Sequence, residues 1–195
     1  PPQHPALAYS LTFLGALRAD DGKITEAESL YRDALAIRRA ALGNNHIDTA
    51  ASLNNLATVL MYQQKHKEAE QLLREALQTA RSIRGEDDAY VARGMSNLGT
   101  CLMQEGRFKE GFELLEASLV IKRKTQGPDH PYVAKTLQRL ASYKHAQHDL
   151  PAARKYCEEA LAIRRKKLPR NHADLASSLN SMSEIALDQN LPAEA

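Results

Sequence analysis

The sequence contains no tryptophan, and aromatic residues make up only 5% of its 195 positions. Strands favour aromatic and β-branched side chains, whereas Ala and Leu recur throughout this chain, so close-packed helices are expected rather than sheets. Only two cysteines are present, Cys101 and Cys157, with neither a CxxC pair nor any other paired spacing. Free buried thiols in a reducing compartment are the simpler reading of such a pattern. An apolar run of the roughly 20 residues needed to span a bilayer is missing, and the opening Pro1-Pro2-Gln3-His4-Pro5 has neither a basic region nor an apolar stretch, so a cytoplasmic location without membrane insertion is expected. The charges nearly cancel, 26 basic against 24 acidic for a net +2, which does not announce nucleic acid or a membrane surface. With 43% hydrophobic and 26% charged residues, the chain has the composition of a folded protein rather than a disordered one.

Self-similarity fills the space these absences leave. His4-Pro5-Ala6-Leu7-Ala8 returns as His46-Ile47-Asp48-Thr49-Ala50, Asp88-Ala89-Tyr90-Val91-Ala92, His130-Pro131-Tyr132-Val133-Ala134 and His172-Ala173-Asp174-Leu175-Ala176. The starts at 4, 46, 88, 130 and 172 set a period of 42 without insertion or deletion. The expected units are therefore 4–45, 46–87, 88–129, 130–171 and a partial 172–195, stacked as one domain.

Within each unit the apolar positions fall at helical spacing. Leu11, Leu14, Gly15 and Leu17 correspond to Leu53, Leu56, Ala57 and Val59, then to Met95, Leu98, Gly99 and Cys101, then to Leu137, Leu140, Ala141 and Tyr143. Turns are expected at Asp21-Gly22-Lys23, Gln64-Lys65-His66, Glu105-Gly106-Arg107 and His148-Asp149-Leu150. A second helix carries Ala27, Tyr31 and Ala34, with counterparts Ala69, Leu73 and Ala76, Gly111, Leu115 and Ser118, and Ala153, Cys157 and Ala160. The small residues allow two antiparallel backbones to approach, and the large ones fill the space between hairpins. Pro5 and Pro131 suit the first turn of a first helix, and Pro151 and Pro192 the start of a second. Gly43, Gly85 and Gly127 follow the second helices, where a left-handed closing residue is expected. Basic residues crowd the same ends (Arg38-Arg39, Arg81, Arg84, Lys122 to Lys124, Arg164 to Lys167) and complement the helix dipole.

The order Leu-x-x-Gly/Ala, then Ala, then Tyr or Leu, then Ala resembles the tetratricopeptide repeat, with each unit 8 residues longer than the usual 34. The segments Ser52-Leu53-Asn54-Asn55-Leu56-Ala57 and Leu35-Ala36-Ile37-Arg38-Arg39, and the connection Gly127-Pro128-Asp129-His130-Pro131, look like the kinesin light chain subfamily. That resemblance implies an all-α, right-handed solenoid of antiparallel helix pairs, whose first helices line a concave groove. The second, fifth, sixth and ninth motif positions then face the groove. They are Tyr9, Thr12, Phe13 and Ala16; Ala51, Asn54, Asn55 and Thr58; Arg93, Ser96, Asn97 and Thr100; Lys135, Gln138, Arg139 and Ser142; and Ser177, Asn180, Ser181 and Glu184.

This wall is uncharged or basic in units two to four and has no acid before Glu184. Asn side chains can pair with a peptide's N–H and C=O groups, and Arg and Lys can bind its carboxylates. The expected peptide-binding residues are Asn54, Asn55, Thr58, Arg93, Asn97, Lys135, Gln138 and Arg139. Asn97, Lys135 and Arg139 match three of the five positions of the carboxylate clamp found in some tetratricopeptide domains. Asn54 stands where that clamp has Lys, and Thr58 where it has Asn. An internal acidic motif with an aromatic or Leu anchor, as kinesin light chains bind, is the closer analogy. A solvated wall without a ligand is the plainer alternative.

Other chemistry has weaker footing. His4, His46, His130 and His172 share one repeat position, where helix starts explain them better than metal ligation. His145 and His148 flank a turn beside Asp149 and read as solvated. No GxxxxGK[ST] or GxGxxG motif occurs, and no Ser or Cys nucleophile has a histidine set beside it. Arg164 to Lys167 could meet phosphate but have no interleaved aromatics for base stacking. The expectation is a non-enzymatic adaptor or scaffold for acidic linear motifs, without cofactor, metal or nucleic acid. The alternative is the repeat end of a larger nucleotide-binding receptor, where it senses a ligand or packs on its effector domain. Leu179, Met182 and Ala186 lack the cover of a second helix, so a longer chain, or self-association through that end, is a further expectation.

Overall fold

The computed structural model describes residues 5–190. Among them are nine α-helices and no strand: α1 Pro5–Asp20, α2 Ile24–Leu42, α3 Ile47–Tyr62, α4 His66–Arg84, α5 Ala89–Gln104, α6 Phe108–Gln126, α7 Pro131–Ala146, α8 Leu150–Lys167 and α9 Ala173–Asn190. None of these helices is long and apolar enough to cross a membrane. His4 and Pro192 lie outside the described residues.

Among the described residues α1, α3, α5 and α7 each pack on the second helix of their own pair, and α3, α5, α7 and α9 on the second helix of the pair before. In addition, the backbones of α3 and α5 and of α7 and α9 approach one another, while among the described residues those of no two second helices come as close. The first helices therefore sit on the inside of the stack and the second helices outside, as in a solenoid. The core runs along the stack as three buried clusters, the first from Ala27 and Tyr31 through Leu53, Leu56, Leu73, Leu98 and Leu102. It continues through Leu115, Leu137 and Leu140 to Cys157 and Ile185. Cys101 and Cys157 are free and buried.

The caps follow from the repeated residues. His46, His130 and His172 each accept a hydrogen bond at Nδ1 from the backbone N–H two residues on, of Asp48, Tyr132 and Asp174. Asp88 does the same for Tyr90 through its carboxylate. These side chains satisfy N–H groups that an α-helix leaves open. Every first-to-second-helix turn closes alike, with the N–H of Lys23, Lys65, Arg107 and Asp149 bonded to the carbonyl five residues back. The residue before each has positive φ: Gly22 76°, Gln64 61°, Gly106 81° and His148 56°.

The closure after the second helices differs from expectation. Gly43, Gly85 and Gly127 do have positive φ, but with ψ of 177°, 171° and 153°. That is the extended mirror-image region, open to glycine alone, rather than the left-handed helical one. The fourth pair lacks the glycine, because Pro169 stands in its place. There α8 ends one residue earlier, on Leu168 with φ −116° and ψ 149°, the extended geometry that a following proline imposes.

Candidate functional site

The inner wall is laced by side chains that span one repeat. Asn97 Nδ2 donates to Asn54 Oδ1 at 3.1 Å, tying α5 to α3. Arg139 Nη1 donates to the Ser96 carbonyl at 3.1 Å and to its hydroxyl at 3.0 Å, tying α7 to α5, and lies 3.5 Å from Asn97 Oδ1. Gln138 Nε2 donates to Ser181 Oγ at 3.0 Å, tying α7 to α9. Asn54, Asn97 and Arg139 thus form a line across three successive first helices.

These contacts sort the eight residues expected from sequence. Asn54 is buried, with its side-chain oxygen committed to Asn97. Thr58 donates to the Asn54 carbonyl one turn back, so its proton is spent within α3. Gln138 is committed at both ends, since its Oε1 accepts from Arg164 and Ser178. Arg139 uses only Nη1 in its bonds. Asn55, Arg93 and Asn97 are half-buried and Lys135 is exposed. Arg93 is stacked 4.8 Å from the centre of the Tyr90 ring, a cation–π arrangement that fixes a side chain without neutralising it. Tyr9, Phe13 and Tyr62 are largely exposed.

Beneath the wall lies a second set of cations that the sequence reading assigned only to helix ends. Arg38, Lys122 and Arg164 share one register of the second helices, and all three are buried. Each turns inward to a hydroxyl 14 residues further on: Arg38 to Ser52, Lys122 to Thr136 at 2.8 Å, and Arg164 to Ser178. In the remaining pair both partners are lost together, to Ala80 and Gly94. The pairing of a cation with a hydroxyl in step with the repeat was the signal available in the sequence.

The electrostatics follow from this layering. Burial, reinforced by Arg139, Lys135 and Arg93, holds Lys122 at a pKa of about 7. Loss of surrounding water, then Arg139, lowers Lys135, against which Asp174 pulls upward. Burial also lowers Arg139 and Arg164. Asp174 Oδ2 lies 4.0 Å from Arg164 Nε. Five cations are thus gathered around units three to five with one carboxylate nearby.

Elsewhere, His145 Nε2 meets Asp188 at 2.6 Å and His148 is exposed in its turn. Among the described residues no three His, Cys, Asp or Glu side chains are grouped to hold a metal ion. Burial, with Glu105 and Glu70 adding to it, pushes the Cys101 thiol up to about 11, and burial raises Cys157 as well. Both thiols are therefore kept protonated and poorly nucleophilic.

Comparison with known proteins adds the relationship. The tetratricopeptide repeat profile matches residues 5–82, 48–102, 90–166 and 136–195, which together cover the described chain. The crystal structure of BtubC (BKLC) from P. vanneervenii superposes with a TM-score of 0.79 at 23% identity, over 95% of this chain and 74% of that one. A provisionally assigned kinesin light chain from P. anserina, with nearly identical TPR-like repeats, gives 0.75 at 24% identity, over 96% and 90%. The apo form of RapI gives 0.73 at 18%, over 93% and 64%. No curated protein sequence matches significantly.

Proposed function

This chain belongs to the tetratricopeptide repeat family, and from that membership we propose a non-catalytic adaptor that holds acidic linear peptides along its inner wall. The repeat architecture is that of a protein–protein interaction scaffold. The observation that carries the finer reading is the cation excess on and under that wall: Arg93, Lys122, Lys135, Arg139 and Arg164 against Asp174. Acidic residues are plentiful on the chain, but most pair on the outer surface, as Glu68 does with Arg32, Glu110 with Arg74 and Glu159 with Arg123. The inner cations are left to attract an outside anion. Because the lacing already fixes the wall, a ligand would meet a preformed surface and bear mainly the cost of ordering itself.

Two roles follow for the residues. Lys135, Arg93 and the unused N–H groups of Arg139 meet carboxylates, while Asn55 and Asn97 can bond a peptide backbone. Tyr9 and Phe13, in the groove-facing register of α1, and Tyr62 at the end of α3 offer apolar area for an anchor residue. A cytoplasmic location fits the two free, buried thiols.

The test uses a library-selected acidic peptide and fluorescence polarisation. Roughly micromolar affinity is expected for a short motif in a preformed groove. Lys135→Glu sets an acid against the ligand's acids and should abolish binding, whereas Arg165→Glu, on the exposed outer end of α8, should leave it intact. Equal losses from the two would place the site off the inner wall. Lys135 is the better choice than Arg139, whose bonds to Ser96 also hold α7 to α5.

A further inference from the structure

Lys122 is the one lysine in the register otherwise filled by Arg38, Ala80 and Arg164. Its side chain is 5% exposed, and its Nζ donates to Thr136 Oγ1 at 2.8 Å. That hydroxyl itself donates to the Tyr132 carbonyl, so it can only accept from Lys122. The charged groups acting on Lys122 come from the two helices that flank α6: Arg93 from α5, and Lys135 and Arg139 from α7. All are cations. The carboxylate in the cluster, Asp174 of α9, acts on Lys135 and Arg164 instead.

We infer that the acidic side chain of a bound peptide is taken up together with a proton, the anion resting on Lys135 and Arg139 and the proton going to Lys122 behind them. This deepens, and rests on, the reading of the inner wall as an acidic-peptide site. The reason is reciprocity. Arg139 and Lys135 disfavour a charge on Lys122 through space, so a carboxylate that neutralises them must favour it. An arginine, charged at every accessible pH, could not respond in this way. Burial first, and the same repulsion after it, hold Lys122 at about 7 in the free protein, where a change in its surroundings alters its charge.

The sign of the effect is fixed. Below about pH 6 Lys122 is already charged and binding takes up no proton; near pH 8 it is mostly neutral in the free protein and charged in the complex. Affinity should therefore be flat on the acid side and fall as pH rises through 7, approaching tenfold per pH unit, while the peptide's carboxylates stay ionised throughout.

Hexaglutamate, with hexaglutamine as its neutral counterpart, is the probe. Titration calorimetry near pH 8 in two buffers of different ionisation enthalpy reads proton uptake directly, and lysine side-chain NMR reads the Lys122 titration with and without the peptide. Uptake approaching one proton, with an upward shift of the Lys122 titration, is expected. Lys122→Arg should remove both the uptake and the pH dependence; arginine is accommodated, since it fills the same register at 38 and 164 with the same kind of hydroxyl partner. Lys122→Met should also lose the uptake, with affinity near the alkaline limit of the native protein. Hexaglutamate bound without proton uptake, or uptake that persists in Lys122→Arg, overturns this inference alone. Failure of hexaglutamate to bind any better than hexaglutamine at low salt overturns the acidic-peptide reading, and the inference with it.

Discussion

Arg38, Lys122 and Arg164 are buried, and among the described residues Arg38 and Lys122 are held by bonds to hydroxyl groups rather than to carboxylates. A buried charge without a counter-ion opposes folding. The cost is clearest at Lys122, whose pKa falls from 10.5 to about 7. Between those two values the unfolded chain binds more protons than the folded one, so the native protein gains stability as pH rises through that window. Lys122→Met removes this dependence and should be more stable than the native protein near pH 6.5, by on the order of a few kcal/mol. The gap should narrow toward pH 9, as read by urea unfolding at both pH values; a gap independent of pH would mean Lys122 is not the strained group. The capping histidines were legible in the sequence because a cap is a local matter of the next two residues. Lys122 was not, because its burial depends on a hydroxyl from the following pair and on three cations that only the stack brings near.

At the scale of the helix pair, close approach is set by the small residues at the crossing. The third pair takes it furthest: a Cβ on Gly99 would come within 2.7 Å of the Gly111 carbonyl, and one on Gly111 within 2.5 Å of the Gly99 carbonyl. The other pairs use Gly15 with Ala27, Ala57 with Ala69 and Ala141 with Ala153. Alanine gains about 1 kcal/mol in helix propensity over glycine, but at Gly111 the obstacle is backbone, which cannot turn aside. Gly111→Ala should therefore lose roughly 1–3 kcal/mol of stability. Gln64→Gly should do the opposite, gaining up to about 1 kcal/mol, because position 64 holds a left-handed conformation that only glycine adopts without cost. Denaturant unfolding separates them by sign; a stabilised Gly111→Ala would show that α5 and α6 are free to part. Helix positions, turns and the glycine-rich crossings were all readable from a strict repeat. The closure geometry after the second helices was not, since sequence shows that a glycine is wanted but not which of its two private regions it uses.

Over the whole molecule, the period of 42 becomes two layers with different electrostatic roles. On the outside, ion pairs join each second helix to the next at a sequence separation of 36: Arg32 to Glu68, Arg39 to Glu75, Arg74 to Glu110 and Arg123 to Glu159. Singly such pairs contribute little; repeated in register, they engage many of the acids of the second helices. On the inside, Asn97, Gln138 and Arg139 lace the first helices together through uncharged acceptors, and the cations are left with Asp174 as the carboxylate among them. That division explains why the polar wall was legible and its internal bonding was not. Asn54, Thr58 and Gln138 lie in the groove-facing register yet spend much of their bonding on neighbours, whereas Lys122 and Arg164 come from helices that face away. The account stands most directly on one comparison, the affinity of a selected acidic peptide and of the same peptide with each Asp and Glu replaced by Asn and Gln, measured across a salt series. The acidic form should bind at least about tenfold more tightly at low salt, with the advantage shrinking as screening shortens to about 8 Å at physiological ionic strength. Equal binding of the two forms at every salt concentration would contradict the assignment of the inner wall as a site for acidic peptides.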